Sequence, residues 1–193
     1  MVMPNGYKEV QVGGYTPVQV GGHKCIIREV QERTSSKGTP MLVVYFDFDA
    51  QDVQPNYFAK KFKEDQKTLG DKAKWRGIFY ITLSGEYGVP NLKRFNTAVE
   101  HSNQGFQILW DQNPGDGRYV GCLKNRRVGF VFGKEEYRNS QGRIGTSIKP
   151  MRACDYNKAA TEEAPATKKL KDEAANEGFM TVSPSFDDDT PFR

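Results

Sequence analysis

Histidine and cysteine are scarce: His23 and His101 are the only histidines, and Cys25, Cys122 and Cys154 the only cysteines, in 193 residues. Two histidines so far apart assemble no zinc-ligand spacing. An odd, widely spaced set of cysteines argues against a secreted disulfide scaffold. Long apolar runs are missing as well. No stretch of the ~18 apolar residues that a membrane span needs occurs, and Met1-Val2-Met3-Pro4-Asn5-Gly6 has neither the basic start nor the apolar stretch of a signal peptide. These absences predict a reduced, cytosolic protein with no metal and no other cofactor. Enzyme signatures are lacking too: no Gly-x-x-x-x-Gly-Lys-Ser/Thr, no Gly-x-Gly-x-x-Gly after a strand and no Gly-x-Ser-x-Gly. Glu135 and Glu136 could serve metal or acid–base chemistry, but neighbours on a strand point to opposite faces, so the pair does not converge. Catalysis is disfavoured.

What is present is a basic body with an acidic end. Residues 1–157 hold 23 Lys/Arg and 16 Asp/Glu, or +7, whereas residues 158–193 hold 5 and 8, or −3. A polyanionic partner suits the first part and a different task the second. Two hairpins stand out. Residues 24–32 and 41–49 are β-rich runs joined by Thr34-Ser35-Ser36-Lys37-Gly38-Thr39-Pro40, and residues 126–137 and 143–154 are joined by Asn139-Ser140-Gln141-Gly142. In the second run Leu42, Val44, Phe46 and Phe48 share one parity, expected in a core. Val43, Tyr45, Asp47 and Asp49 share the other, expected to face solvent or ligand. Gly129, Val131 and Gly133 form a small-residue face open to a backbone, a ligand or a sharp bend. Residues 56–74 mix six lysines with Tyr57, Phe58 and Phe62 and read as partly helical; periodicity does not decide residues 75–83. Leu92, Phe95 and Val99 predict a helix over 91–102. From Tyr156 the composition predicts a disordered linker.

Cations that meet phosphates and flat side chains that stack on bases are what single-stranded nucleic acid requires. The candidates on the first hairpin are Lys24, Arg28, Lys37 and Tyr45. Between the hairpins lie Lys60, Lys61, Lys63, Trp75, Arg76 and Tyr80. On the second are Arg126, Arg127, Lys134, Arg138, Arg143, Lys149 and Arg152. Tyr45, Trp75 and Tyr80 are the aromatics favoured for stacking. The fold class expected is mainly β: a small OB-like barrel with an inserted helical segment and a disordered acidic C-terminal tail. Its parts are an arm at 1–14, a nucleic-acid-binding body at 15–155, a linker at 156–177 and an acidic tip at 178–193.

The end of the chain, Phe186-Asp187-Asp188-Asp189-Thr190-Pro191-Phe192, resembles the acidic tip of bacterial single-stranded DNA-binding proteins, which typically ends in Asp-Asp-Asp-Ile-Pro-Phe. That resemblance implies that Phe186, Asp187, Asp188, Asp189, Pro191 and Phe192 recruit replication and recombination proteins through basic pockets and an apolar notch. Thr190 stands where the family has Ile, and Arg193 follows the phenylalanine that there supplies the terminal carboxylate. The body resembles single-stranded-DNA-binding-like proteins of phages of Gram-positive bacteria. The resemblance runs through residues 21–27, Trp75-Arg76-Gly77, residues 95–103 with Gly105-Phe106, residues 128–137 and residues 146–150.

The expectation is therefore sequence-independent binding of single-stranded DNA in phage replication or recombination, in the bacterial host cytoplasm. Replication or recombination proteins are expected at the tip, and a homo-oligomer is compatible. The alternatives are an RNA- or duplex-binding module, a recombination or replication adaptor, and a nuclease using Glu135 or Glu136.

Overall fold

The computed structural model describes residues 16–170. The expected arm at 1–14, residues 171–177 of the expected linker and the tip at 178–193 lie outside the described residues. Turn formers at 34–40 give the first hairpin, β1 (Gly21–Thr34) and β2 (Pro40–Phe48). The second joins β4 (Arg127–Arg138) to β5 (Ile144–Cys154). Residues 75–83 resolve into a short strand, β3 (Ile78–Thr82). All pairings are antiparallel, in the order β3-β2-β1-β4-β5. Helix α1 (Tyr57–Leu69) lies between β2 and β3 in the chain and stops at Gly70, whose φ of 57° favours glycine. Helices α2 (Gly88–Ser102) and α3 (Arg118–Leu123) lie between β3 and β4. Helix α2 buries Phe95 and Val99, with Leu92 half-buried, as the spacing predicts.

The β-dominated class holds, but the sheet is not closed into a barrel. Among the described residues no ladder joins β3 to β5, which remain its two edges. Strand β3 has only five residues, and its ladder is made with β2. The space between the two edges is bordered by α1 and residues 74–76 rather than by a further strand.

Aromatic packing holds the roll. Phe46 meets Phe58 of α1 at 5.4 Å and Phe130 at 4.5 Å, and Phe48 meets Phe58 at 5.1 Å and Phe132 at 5.4 Å. Such pairs add about 0.5–1.5 kcal/mol each beyond the burial of their area. His23 belongs to this core: it stacks on Phe48 at 4.1 Å. Its Nδ1 lies 2.9 Å from Asp52 Oδ1 and its Nε2 3.0 Å from the Gln19 carbonyl. Both parities of β2 are buried, because the strand is covered on both faces. Val43, Tyr45, Asp47 and Asp49 therefore do not face solvent or ligand.

The glycine face of β4 is covered, Gly129 by Cys154, Ala159 and the Asp155 carbonyl and Gly133 by Pro165 and Met151. Tyr156 and Ala159 are buried, and residues 155–168 cross β1 and β4. Gly22 N–H donates to the Glu162 carbonyl (3.1 Å), Lys168 N–H to Lys134 (2.9 Å) and Glu136 N–H to Lys168 (2.9 Å). The expected linker is thus a fixed strap as far as Lys168. Composition missed it because the strap docks through main-chain bonds and small residues rather than through large apolar side chains. A Cβ at Gly22 would sit 1.9 Å from the Ala159 carbonyl oxygen, and one at Gly133 2.6 Å from Pro165 Cγ. Gly22→Ala is expected to loosen the strap and cost about 1–3 kcal/mol. Denaturant unfolding and proteolytic cleavage within 155–168 measure both effects.

Candidate nucleic-acid interface

The open side of the sheet is a cleft of about 920 Å³ between β3 and β5. Its walls carry seven cations, Lys61, Lys74, Arg76, Arg94, Lys149, Arg152 and Lys168, against one carboxylate, Glu135. Aromatic surface comes from Tyr57, Phe79 and Tyr80, with Phe58, Trp75 and Phe132 behind. Each wall has a clear origin. Helix α1 packs Phe58 inward and turns Lys61 out. Strand β3 places Phe79 and Tyr80 on its two faces, both half-buried, because it is an edge strand. Helix α2 buries Phe95 and so leaves Arg94 exposed.

Carboxylates position the cations. Arg76 lies 2.9 Å from Asp65, which Lys61 also approaches at 3.5 Å. Arg152 pairs with Glu162 of the strap at 2.6 Å. Glu135 sits between Lys149 (2.9 Å) and Lys168 (2.7 Å). The part-exposed pairs of Glu135 and Glu162 contribute at most about 1 kcal/mol each, so a phosphate can share or displace them, whereas Asp65 is buried and keeps its partners. An arginine with five N–H donors keeps several for a second anion.

Of the sequence-predicted residues, the cleft brings together Lys61, Trp75, Arg76, Tyr80, Lys149 and Arg152. Two of the three favoured aromatics are not available to stack. Tyr45 is 0 % exposed, and Trp75 is 7 % exposed with its indole N–H donating to the carbonyls of Phe46 (3.1 Å) and Gly77 (3.2 Å). Tyr80 alone of the three stays half-open. Arg28 reaches Asp47 at 3.6 Å, while Lys37 is exposed in the β1–β2 turn. Lys60 and Lys63 are exposed on α1, away from the cleft lining. Lys24 and Arg127 lie 5.2 and 5.3 Å from the Tyr156 ring, and Arg126 4.1 Å from that of Phe106. Lys134, Arg138 and Arg143 are exposed on the β4–β5 hairpin.

Sequence reasoning missed Lys74, Arg94 and Lys168. Lys74 was visible in the lysine-rich segment, and Arg94 lay on the polar side of a predicted helix. Lys168 lay in a segment read as linker.

The two buried thiols, Cys25 and Cys154, offer little chemistry. Burial raises Cys25 well above the usual thiol value and pushes Cys154 up to about 12. Among the described residues no group of three His, Cys, Asp or Glu could hold a metal ion, and no helix is long and apolar enough to cross a membrane. No protein-family model matches the chain, and no curated protein matches it in sequence.

Burial works against the charge on Glu135, yet the hydrogen bonds from Lys168 and Lys149 prevail and hold its carboxyl below the ordinary value. A depressed carboxyl stabilises the folded arrangement above its unfolded pKa, and that contribution is lost as pH falls through the lower folded value. Docking of the strap is therefore expected to weaken below about pH 4.3, the ordinary glutamate range. Amide exchange at Glu136 and Lys168, followed against pH, measures this, and Glu135→Gln should flatten the dependence.

Proposed function

We propose that the protein binds single-stranded DNA without sequence preference, along the cleft between β3 and β5. The observation that carries this reading is the cleft itself: cations on both walls with half-open aromatic rings between them. Lys74, Arg94, Lys149 and Arg152 would track phosphates, and Tyr80 and Phe79 would offer π-faces that any base can use. A cleft open to solvent on one side admits a flexible single strand more readily than a rigid duplex.

The strand order supports an OB-like reading. A five-stranded OB barrel is partly open, and it binds oligonucleotides on its second and third strands and on its β1–β2 and β4–β5 loops. Cut between its third and fifth strands, such a barrel gives the order β3-β2-β1-β4-β5. The cleft occupies that cut, and Lys37, Arg138 and Arg143 lie in or beside the two loops. The acidic end, by its likeness to single-stranded DNA-binding proteins, would recruit replication or recombination proteins. It would also compete with DNA for the basic cleft.

Anisotropy titrations of labelled oligo-dT, oligo-U and duplex at several salt concentrations test the reading. Tyr80→Ala should cost about 1–3 kcal/mol of single-strand affinity, the usual worth of a base–aromatic stack. Each removed phosphate contact should lower the slope of log K against log salt by about 0.7. Equal or tighter binding of the duplex would refute the single-strand reading, and preference for oligo-U would move it to RNA. Deleting residues 178–193 should tighten oligo-dT binding at low salt; an unchanged affinity would show that the acidic end does not compete.

A further inference from the structure

A second, shallower groove of about 390 Å³ runs between α2 and the end of β5, lined by Lys93, Arg94, Thr97, His101, Cys154 and Asp155, among others. Arg94 and Ala153 line both this groove and the cleft. We propose that the α2–β5 groove carries the DNA strand onward from the cleft, as a phosphate-tracking extension of the binding site. The proposal rests on the reading of the cleft as a single-strand site.

The floor of the groove is apolar, and its charge is set at the rim, by Lys93 and Arg94 against Asp155. Lys93, Thr97 and His101 recur at i, i+4 and i+8, so they form one row along α2, opposite to buried Phe95 and Val99. No carboxylate interrupts the row, because Glu100 is turned away to accept the Ile108 N–H at 2.9 Å. Asp155, across the groove, is held in its own turn by the Asn157 N–H at 2.9 Å.

At the far end of the groove two cations stand beside two carboxylates, Asp49 and Asp52, which face the Tyr156 hydroxyl. His101 and Asp155 each precede a residue of one contact, in which the Tyr156 N–H donates to Ser102 Oγ at 2.9 Å. Lys24 and Arg127 lie over the ring of that tyrosine. A strand leaving the cleft at Arg94 would thus pass Lys93 and His101 and reach Arg127 and Lys24, with Asp155, Asp49 and Asp52 alongside, each already accepting a backbone N–H. This gives the sequence-predicted pair Lys24 and Arg127, which the cleft leaves aside, a place on the same path. From Arg94 to His101 the helix advances about 10 Å, at ~1.5 Å per residue. That is room for about three phosphates at a stacked spacing of ~3.4 Å.

The test is a length comparison in the full chain. Lys93→Glu/Thr97→Glu/His101→Glu reverses the charge of the row without touching the cleft lining. It is titrated with labelled oligo-dT of about 6 and about 20 nucleotides, lengths on either side of a typical single OB site. The expected result is at least ~10-fold weaker binding of the longer oligonucleotide, with a salt slope shallower by about 0.7 per lost phosphate contact and the shorter one unchanged. The milder Lys93→Gln/His101→Gln, with an unaltered melting temperature, should show the same length dependence in smaller measure. Equal losses at both lengths, or none, would overturn the extension while leaving the cleft in place. Tighter binding at both lengths would overturn it too, by assigning the groove to the chain's own acidic end. Failure of the unmodified protein to bind either length at low salt would overturn the cleft reading, and the extension with it.

Discussion

Strand β1 is shared between two hairpins, and the rest of the molecule follows from how it is shared. Its first part, residues 21–26, pairs with β4, whereas residues 25–34 pair with β2, so that only Cys25 and Ile26 have ladder partners on both sides. The register shift after Ile27 falls just past that overlap, and a bulge there increases local twist. Two hairpins hinged on one strand roll away from a common plane, and the aromatic cluster fills the concave side. The outermost strands, β3 and β5, then border a common space without pairing across it. An unpaired edge invites association with other chains. Here both edges line a cleft crowded with lysine and arginine, which discourages strand addition and favours a polyanion.

The hairpins, their turns and helix α2 were legible because period-two and period-3.6 patterns are local properties of the chain. Closure was not. Whether β3 reaches β5 depends on the length of β3 and on α1 bordering the gap, neither of which an apolar pattern encodes. The burial of Tyr45 and Trp75 was illegible for a related reason. Alternation predicts which residues share a face but not whether a second layer covers that face, and β2 is covered on both. The small-residue face of β4 was legible only as permission for close approach; what approaches is Ala159, Pro165 and the Asp155 carbonyl, with Cys154 and Met151 of β5. Main-chain docking leaves almost no trace in composition, which is why a segment rich in Ala, Lys, Glu and Thr reads as linker.

The strap matters to the site as well as to the fold. It brings Lys168 into the cleft and Glu162 to Arg152, and it shares Glu135 with Lys149. The seven cations therefore do not form a bare positive surface. Three carboxylates, Asp65, Glu135 and Glu162, hold five of them in place. Prepositioning of this kind lowers the side-chain entropy lost when a phosphate arrives, at the cost of some attraction.

That balance bears on how salt dependence should be interpreted in a site of this design. Counterion release scales with the phosphates neutralised on the nucleic acid, not with the cations counted on the protein. A lysine already facing Glu135 would have to share its charge or leave its partner to meet a phosphate. Lys74 and Arg94, which make no ion pair among the described residues, give their full charge. The cleft is then electrostatically uneven: Lys74, near α1, and Arg94, on α2, attract most strongly, while Lys149 and Arg152 on β5 would meet a phosphate only by sharing it with Glu135 and Glu162. On the proposed reading, a strand drawn toward Arg94 would stand at the mouth of the α2–β5 groove, and the distribution of unpaired charge, not the cleft's volume alone, would set the direction in which it leaves.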